Sequence, residues 1–180
     1  MDGMKLRCAV LVSSLSLAIC LSMSVAAAAQ QLPRLQEENL AGQQAVLPEA
    51  ASGKVAVLVF GFTRASQTTT GAWAKQIRTD FGKSAGFELY QLPVLEEAPR
   101  LIRGMITSGM KKGVPEDQRA NFIPVMHSEA ELKKLVGYKE GDDAYVVVLD
   151  RSGKVAFQTH GASPEPNYPQ LRTKVESLLK

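Results

Sequence analysis

The sequence predicts an α/β fold, a mixed sheet with helices on both faces. Three observations carry this. Two continuous apolar runs, residues 55–60 and 145–149, have the length and valine content of strands covered on both sides. Between them, amphipathic helical patterns alternate with shorter strand patterns. After the second run, Asp150-Arg151-Ser152-Gly153 marks a hairpin, so the last strand pair is antiparallel.

In chain order, residues 30–52 form a polar lead-in broken by Pro33, Gly42 and Pro48. Short edge strands are expected near residues 34–40 and 45–47. The run at 55–60 stops at Gly61. Thr68, Thr69 and Thr70 offer hydroxyls to cap a helix. Trp73, Ile77 and Phe81 line one face of that helix, and Gly82 ends it. Residues 87–92 alternate as a strand. Pro99 opens a second helix with Ile102, Met105, Ile106 and Met110 on its apolar side and Arg100, Arg103, Thr107 and Lys111 on its polar side. Residues 122–126 read as a short edge strand containing Pro124. Ser128 and Glu131 form a capping box, and Gly137 closes the helix they start. Residues 155–160 alternate and pair back across the hairpin. Tyr168, Leu171, Val175 and Leu178 mark a last helix. This order resembles the thioredoxin arrangement, spanning residues 53–180 as one domain.

Composition bounds the function. The chain is 45% hydrophobic and 22% charged, which fits a globular protein and not a disordered one. A net charge of +3 with no concentrated Lys/Arg face argues against nucleic acid as a partner. Residues 1–29 have the form of a signal peptide. Lys5 and Arg7 precede an apolar stretch at 8–25, and Ala26-Ala27-Ala28-Ala29 supplies small residues for cleavage before Gln30. An uncleaved anchor is the alternative, since the stretch approaches the roughly 20 residues that span a bilayer. The expected location is periplasmic or secreted, or membrane-anchored if the leader stays. Cleavage lowers the net charge to +2 and removes Cys8 and Cys20, leaving a mature domain without cysteine.

The reactive residues of the thioredoxin arrangement sit between the first core strand and its helix, whose N-terminus favours a thiolate. Here Phe60-Gly61-Phe62-Thr63 resembles the Sco-type copper chaperones, which continue with His-Cys-Pro and carry a second cysteine four residues after the first. Those cysteine positions fall on Ala65 and Thr69, and the family's ligand histidine would fall near Asp142. Without soft ligands no copper site is expected. The proline that redox relatives place before the second core strand is replaced by Ala144.

A closer resemblance rests on Arg64-Ala65-Ser66-Gln67, Trp73, Phe81-Gly82, residues 92–103, residues 145–155 and Gly161-Ala162. These are similar to the thioredoxin-like assembly factor family of mitochondrial ATP synthase, over roughly residues 54–179. The resemblance implies a fold without a redox cysteine pair and a role in assembly. The chain departs from that family in its secretory-type leader and in an aromatic displaced to Phe157.

The expected function is therefore a non-catalytic, exported binding module of assembly-factor or chaperone type. The alternative is an envelope enzyme related to thioredoxins and peroxiredoxins that works through non-thiol residues such as His160 or Asp143. Partner-binding candidates are Arg64, Ser66, Gln67, Thr68, Thr69, Trp73, Arg100, Arg103 and Tyr145. At the helix start, Arg64 and the hydroxyls either bind an anion or simply cap. The second helix, with Arg100, Arg103, Lys111, Lys112 and nearby Arg119 around Gly104, Met105 and Ser108, is either a solvated face or a docking surface for a protein or an anionic membrane. No cofactor and no metal are expected; His127, His160 and the Asp142–Asp143 pair are the only candidates for metal handling.

Overall fold

The computed structural model describes residues 30–180, and the leader expected over residues 1–29 lies outside them. A four-stranded sheet is formed by β3 (Val55–Gly61), β4 (Phe87–Pro93), β5 (Ala144–Leu149) and β6 (Val155–Gly161), in the order β4-β3-β5-β6. β3 runs parallel to β4 and antiparallel to β5, and β5 is antiparallel to β6. Every residue of β3 and β5 is buried, as their unbroken apolar runs require.

The period of two along each strand divides the core into two layers. Val55, Val57 and Val59 join Ala144, Val146 and Val148 beneath α1 (Gln67–Phe81) and α4 (Tyr168–Leu179), where Trp73, Ile77, Leu171 and Val175 are fully buried. Ala56, Leu58 and Phe60 join Tyr145, Val147 and Leu149 on the other face. There they meet Leu132, Leu135 and Val136 of α3 (Glu129–Val136) and the N-terminal residues Leu32, Leu35 and Leu47.

The N-terminal strands, β1 (Leu35–Glu38) and β2 (Gln44–Leu47), form their own antiparallel pair rather than extending the edge of the main sheet. Leu35 pairs with Leu47, and both are buried, so the hairpin covers a sheet face. Asn39 fixes its turn. The Asn39 side-chain oxygen accepts from the Ala41 and Gln43 N–H groups, and its amide donates to the Ala120 carbonyl.

Four sequence expectations are corrected. First, residues 122–126 make isolated parallel bridges to the β4 side, Gln91 with Phe122 and Val94 with Val125, rather than a strand. Ile123 and Val125 donate to the Gln91 and Pro93 carbonyls, so the N–H that Pro124 lacks would have faced away from β4, as suits a segment at the edge of a sheet. Second, the Ser128–Glu131 box does not form. Ser128 takes a left-handed φ of 66° with no side-chain cap, and the Glu129 N–H is instead bound by Glu96 Oε2 at 2.6 Å. Third, Gly82 ends α1 at an ordinary φ of −59°. Its glycine is required because a Cβ would stand 2.5 Å from the Arg78 carbonyl oxygen. Gly137, by contrast, closes α3 with φ 61°, as expected.

The fourth concerns α2 (Arg100–Gly113). None of its residues is buried, so its apolar side does not fill the core. Arg103, Ile106, Thr107 and Met110 are half-buried on the inner side, while Leu101 and Met105 are exposed. Among the described residues, no helix is long and apolar enough to cross a membrane.

Candidate functional site

The parallel β3–β4 pair and the antiparallel β5 and β6 bring four connections to one end of the sheet. These are the segments after β3, after β4, before β5 and after β6. Open α/β sheets present their binding crevices at such an end.

The segment between β3 and α1 is closed by its own hydrogen bonds. Thr63 Oγ1 donates to the Gly141 carbonyl at 2.7 Å and accepts the Ser66 N–H at 3.2 Å. The Ser66 hydroxyl, in a residue only 1% exposed, donates to the Thr63 carbonyl at 2.8 Å. The expected threonine cap is therefore corrected. The turn before α1 is satisfied by Thr63, while Thr70 Oγ1 donates to the Gln67 carbonyl within the helix. Gly61 lets this turn close, because a Cβ there would lie 2.7 Å from Ser66 Oγ and 2.9 Å from Thr70 Cγ2. Gly61→Ala is expected to destabilise by about 1–3 kcal/mol through overpacking. Urea unfolding reads this, and the loss shrinks in the Gly61→Ala/Ser66→Ala pair because the two side chains share one space.

Beneath the turn lies an aromatic cluster. Phe62 meets Tyr138 and Tyr145 edge-on at 5.1 and 5.5 Å between centroids. The Tyr145 hydroxyl accepts the Lys139 and Glu140 N–H groups at 2.8 and 2.9 Å and donates to the Glu140 carbonyl at 3.0 Å. His160 stacks on Tyr145 at 5.3 Å, and its Nδ1 lies 2.7 Å from Oδ2 of buried Asp143. The Trp73 indole donates to the Gly161 carbonyl at 3.2 Å, and Asn167 donates to the His160 carbonyl at 2.8 Å.

On the β4 side, Lys133 Nζ bridges Glu129 at 2.7 Å and Glu97 at 2.9 Å, and sits 4.8 Å from the Tyr138 ring centre. Hydrogen bonding to Glu129 and then Glu97 holds the Lys133 pKa above its ordinary value, and the Lys133 hydrogen bond holds Glu97 below its own. This clamp, with the Glu96–Glu129 bond, fixes the segment from β4 to α2 against α3.

The sequence candidates divide by depth. Arg64, Gln67, Thr68 and Arg100 are exposed, Thr69 is half-buried, and Arg64 and Arg100 take part in none of the described ion pairs. Ser66, Trp73 and Tyr145 lie beneath the surface, where they shape the site without reaching across it. Arg103 turns back to donate to the Ala98 and Glu96 carbonyls and so braces the start of α2. His127 pairs with Glu37 at 3.2 Å. Among the described residues, no three His, Cys, Asp or Glu side chains converge as a metal site would need. Asp143 and His160 were separate candidates in the sequence. The β5–β6 register joins them, since Tyr145 pairs with His160, and counting back from the hairpin would have found it. Of the carboxylates on Lys133, Glu129 stands four residues before it on α3, a spacing the sequence shows, whereas Glu97 gave no signal because its loop meets the helix only in three dimensions.

The fold and this sheet end define a thioredoxin-like protein. The chain is similar to BsSco, a member of the Sco family of cytochrome c oxidase assembly proteins, at 14% identity over 83% of this chain and 93% of that one, with a TM-score of 0.57. The thioredoxin domain of a thiol-disulfide oxidoreductase from Bacteroides vulgatus matches at 14% identity over 84% and 97%, TM-score 0.56. A peroxiredoxin-like protein from Aquifex aeolicus matches at 16% over 83% and 86%, TM-score 0.54. No curated protein matches. The family model for ATP10 protein matches residues 22–178, and the chain belongs to that family of ATP synthase assembly factors.

Proposed function

We propose that this chain is an exported assembly module that recognises a protein partner at the open end of its sheet, without thiol redox chemistry. The observation that carries the reading is the closed turn between β3 and α1. Ala65 and Thr69 stand where redox relatives carry cysteines, and the Ser66 hydroxyl is buried and committed to Thr63. Residues 30–180 contain no cysteine, so no thiolate is available there to attack a disulfide. Arg64, Gln67, Thr68 and Arg100 give the rim an exposed polar and cationic surface. Membership of an assembly-factor family supports a protein or a protein complex as the partner.

The leader pattern supports export. Mass spectrometry of the protein recovered from cells is expected to find an N-terminus at Gln30. An N-terminus at Met1 together with recovery of the protein in the cytoplasmic soluble fraction would remove the export step, whereas Met1 in the membrane fraction would mean that the leader is retained as an anchor.

The test of the site places a photo-crosslinker at Thr68. It is expected to capture one defined protein, and Arg64→Glu is expected to cut the yield on the order of tenfold, as loss of a rim charge does. Equal capture by a crosslinker at Thr173 on α4, or insulin reduction by the processed protein, would overturn the reading. One contact favours a second reading. The His160–Asp143 pair orients an imidazole at the same sheet end, as an acid–base enzyme would need. Turnover abolished by His160→Ala would establish it.

A further inference from the structure

Helix α2 is built unlike the others. Its half-buried side is Arg103, Ile106, Thr107 and Met110. At 100° per residue, Leu101, Met105, Ser108 and Lys112 fall on the opposite side. Leu101 is 98% exposed, Met105 70% and Ile102 39%, and these are the large exposed hydrophobics of the described residues. All three occupy two adjacent turns. A soluble surface rarely concentrates its exposed apolar bulk in one place unless something covers it.

The charges say what covers it. The 14 residues of α2 include Arg100, Arg103, Lys111 and Lys112 and no acid. The acids just before it are engaged elsewhere, Glu97 with Lys133 and Glu96 with the Glu129 N–H, and acids resume only at Glu116. Gly104 and Gly109 flank the outer side, and a Cβ at either would meet nothing within 4 Å, so neither flank is walled off. Apolar side chains at the crest, cations at both ends of the helix and modest overall hydrophobicity are the features of a helix that lies in a membrane interface without spanning it.

We infer that α2 docks the protein on an anionic lipid surface, with Leu101, Met105 and Ile102 entering the headgroup boundary and Arg100, Lys111 and Lys112 facing lipid phosphates. Of the rim residues only Arg100, at the start of α2, belongs to this contact; Arg64, Gln67 and Thr68 do not.

The experiment uses the full chain with Cys8→Ser and Cys20→Ser and an environment-sensitive fluorophore on Met105→Cys. The fluorophore reads the α2 surface whether or not the leader also touches lipid. Vesicles containing phosphatidylglycerol are expected to shift its emission to the blue and to raise it roughly threefold, as burial among acyl chains does. The same label on Thr173→Cys in α4 stays in water. Replacing Arg100, Lys111 and Lys112 with glutamine is expected to weaken the Met105-label response roughly a hundredfold in lipid concentration, at about tenfold or less per cation. Added salt weakens it as well. No shift at position 105, an equal shift with purely neutral vesicles, or a concentration-dependent shift without vesicles would overturn the inference. The last result would assign the face to a second copy of the chain.

Discussion

Trp73→Ala is expected to lower the stability of the domain by about 3–5 kcal/mol, the range for removing a large buried aromatic. The indole is completely buried between the Val57–Val59 face of the sheet and α4, with Tyr168 at 6.3 Å between ring centres. Its removal leaves a void that α1 cannot fill, because Ala74, the buried residue beside it, is small. It also frees the Gly161 carbonyl, which accepts the indole N–H at 3.2 Å. Native domains are stable by about 5–15 kcal/mol, so the loss consumes a large share of the margin. A reduced urea midpoint at unchanged slope is the expected readout. Trp73→Phe restores most of the volume but not the donor, so it is expected to lose about 1–3 kcal/mol. A Trp73→Ala protein that unfolds within about 1 kcal/mol of the parent would mean that α1 is not held on the sheet through this indole.

Tyr145 is the second such position. Tyr145→Ala is expected to cost about 3–5 kcal/mol, because the ring holds Phe62, Tyr138 and His160 together. Tyr145→Phe isolates the hydroxyl. It leaves the Lys139 and Glu140 N–H groups without their acceptor, for about 1–3 kcal/mol. The effect spreads to the candidate site. Lys139 and Glu140 lead directly to Gly141, whose carbonyl anchors Thr63. Amide exchange in Tyr145→Phe is therefore expected to quicken at Lys139, Glu140 and Ser66, while the centre of β3 keeps its protection. Unchanged exchange at Ser66 would show that the two loops are not coupled.

Much of the fold is written in local patterns. The runs at 55–60 and 145–149 announce strands buried on both faces, and both are. The hairpin at Asp150–Gly153 is legible from its residue types, with the Asp150 carboxylate accepting the Ser152 and Lys154 N–H groups. The misreadings share a cause. Ser128 and the threonines at 68–70 have side chains suited to capping, but groups distant in sequence or on the preceding turn took the bonds. Glu96 did so from the β4 side, and Thr63 did so from the end of β3. The apolar periodicity of α2 is real, yet periodicity reports that a helix has an apolar side and not which neighbour covers it.

The sequence by itself determined the order of the four α-helices and of every strand but the one expected at residues 122–126, the buried central strands and the absence of cysteine from residues 30–180. Tertiary structure alone decided that the N-terminal hairpin covers a face, that Ser66 lies beneath the site, that His160 meets Asp143, and that α2 leaves Leu101 and Met105 in water. The division follows from range. Strand and helix periods arise from backbone geometry a few residues at a time. Burial and hydrogen-bond partners depend on which surfaces chain closure brings together, and that is settled by the sheet register and the competition among donors for each acceptor.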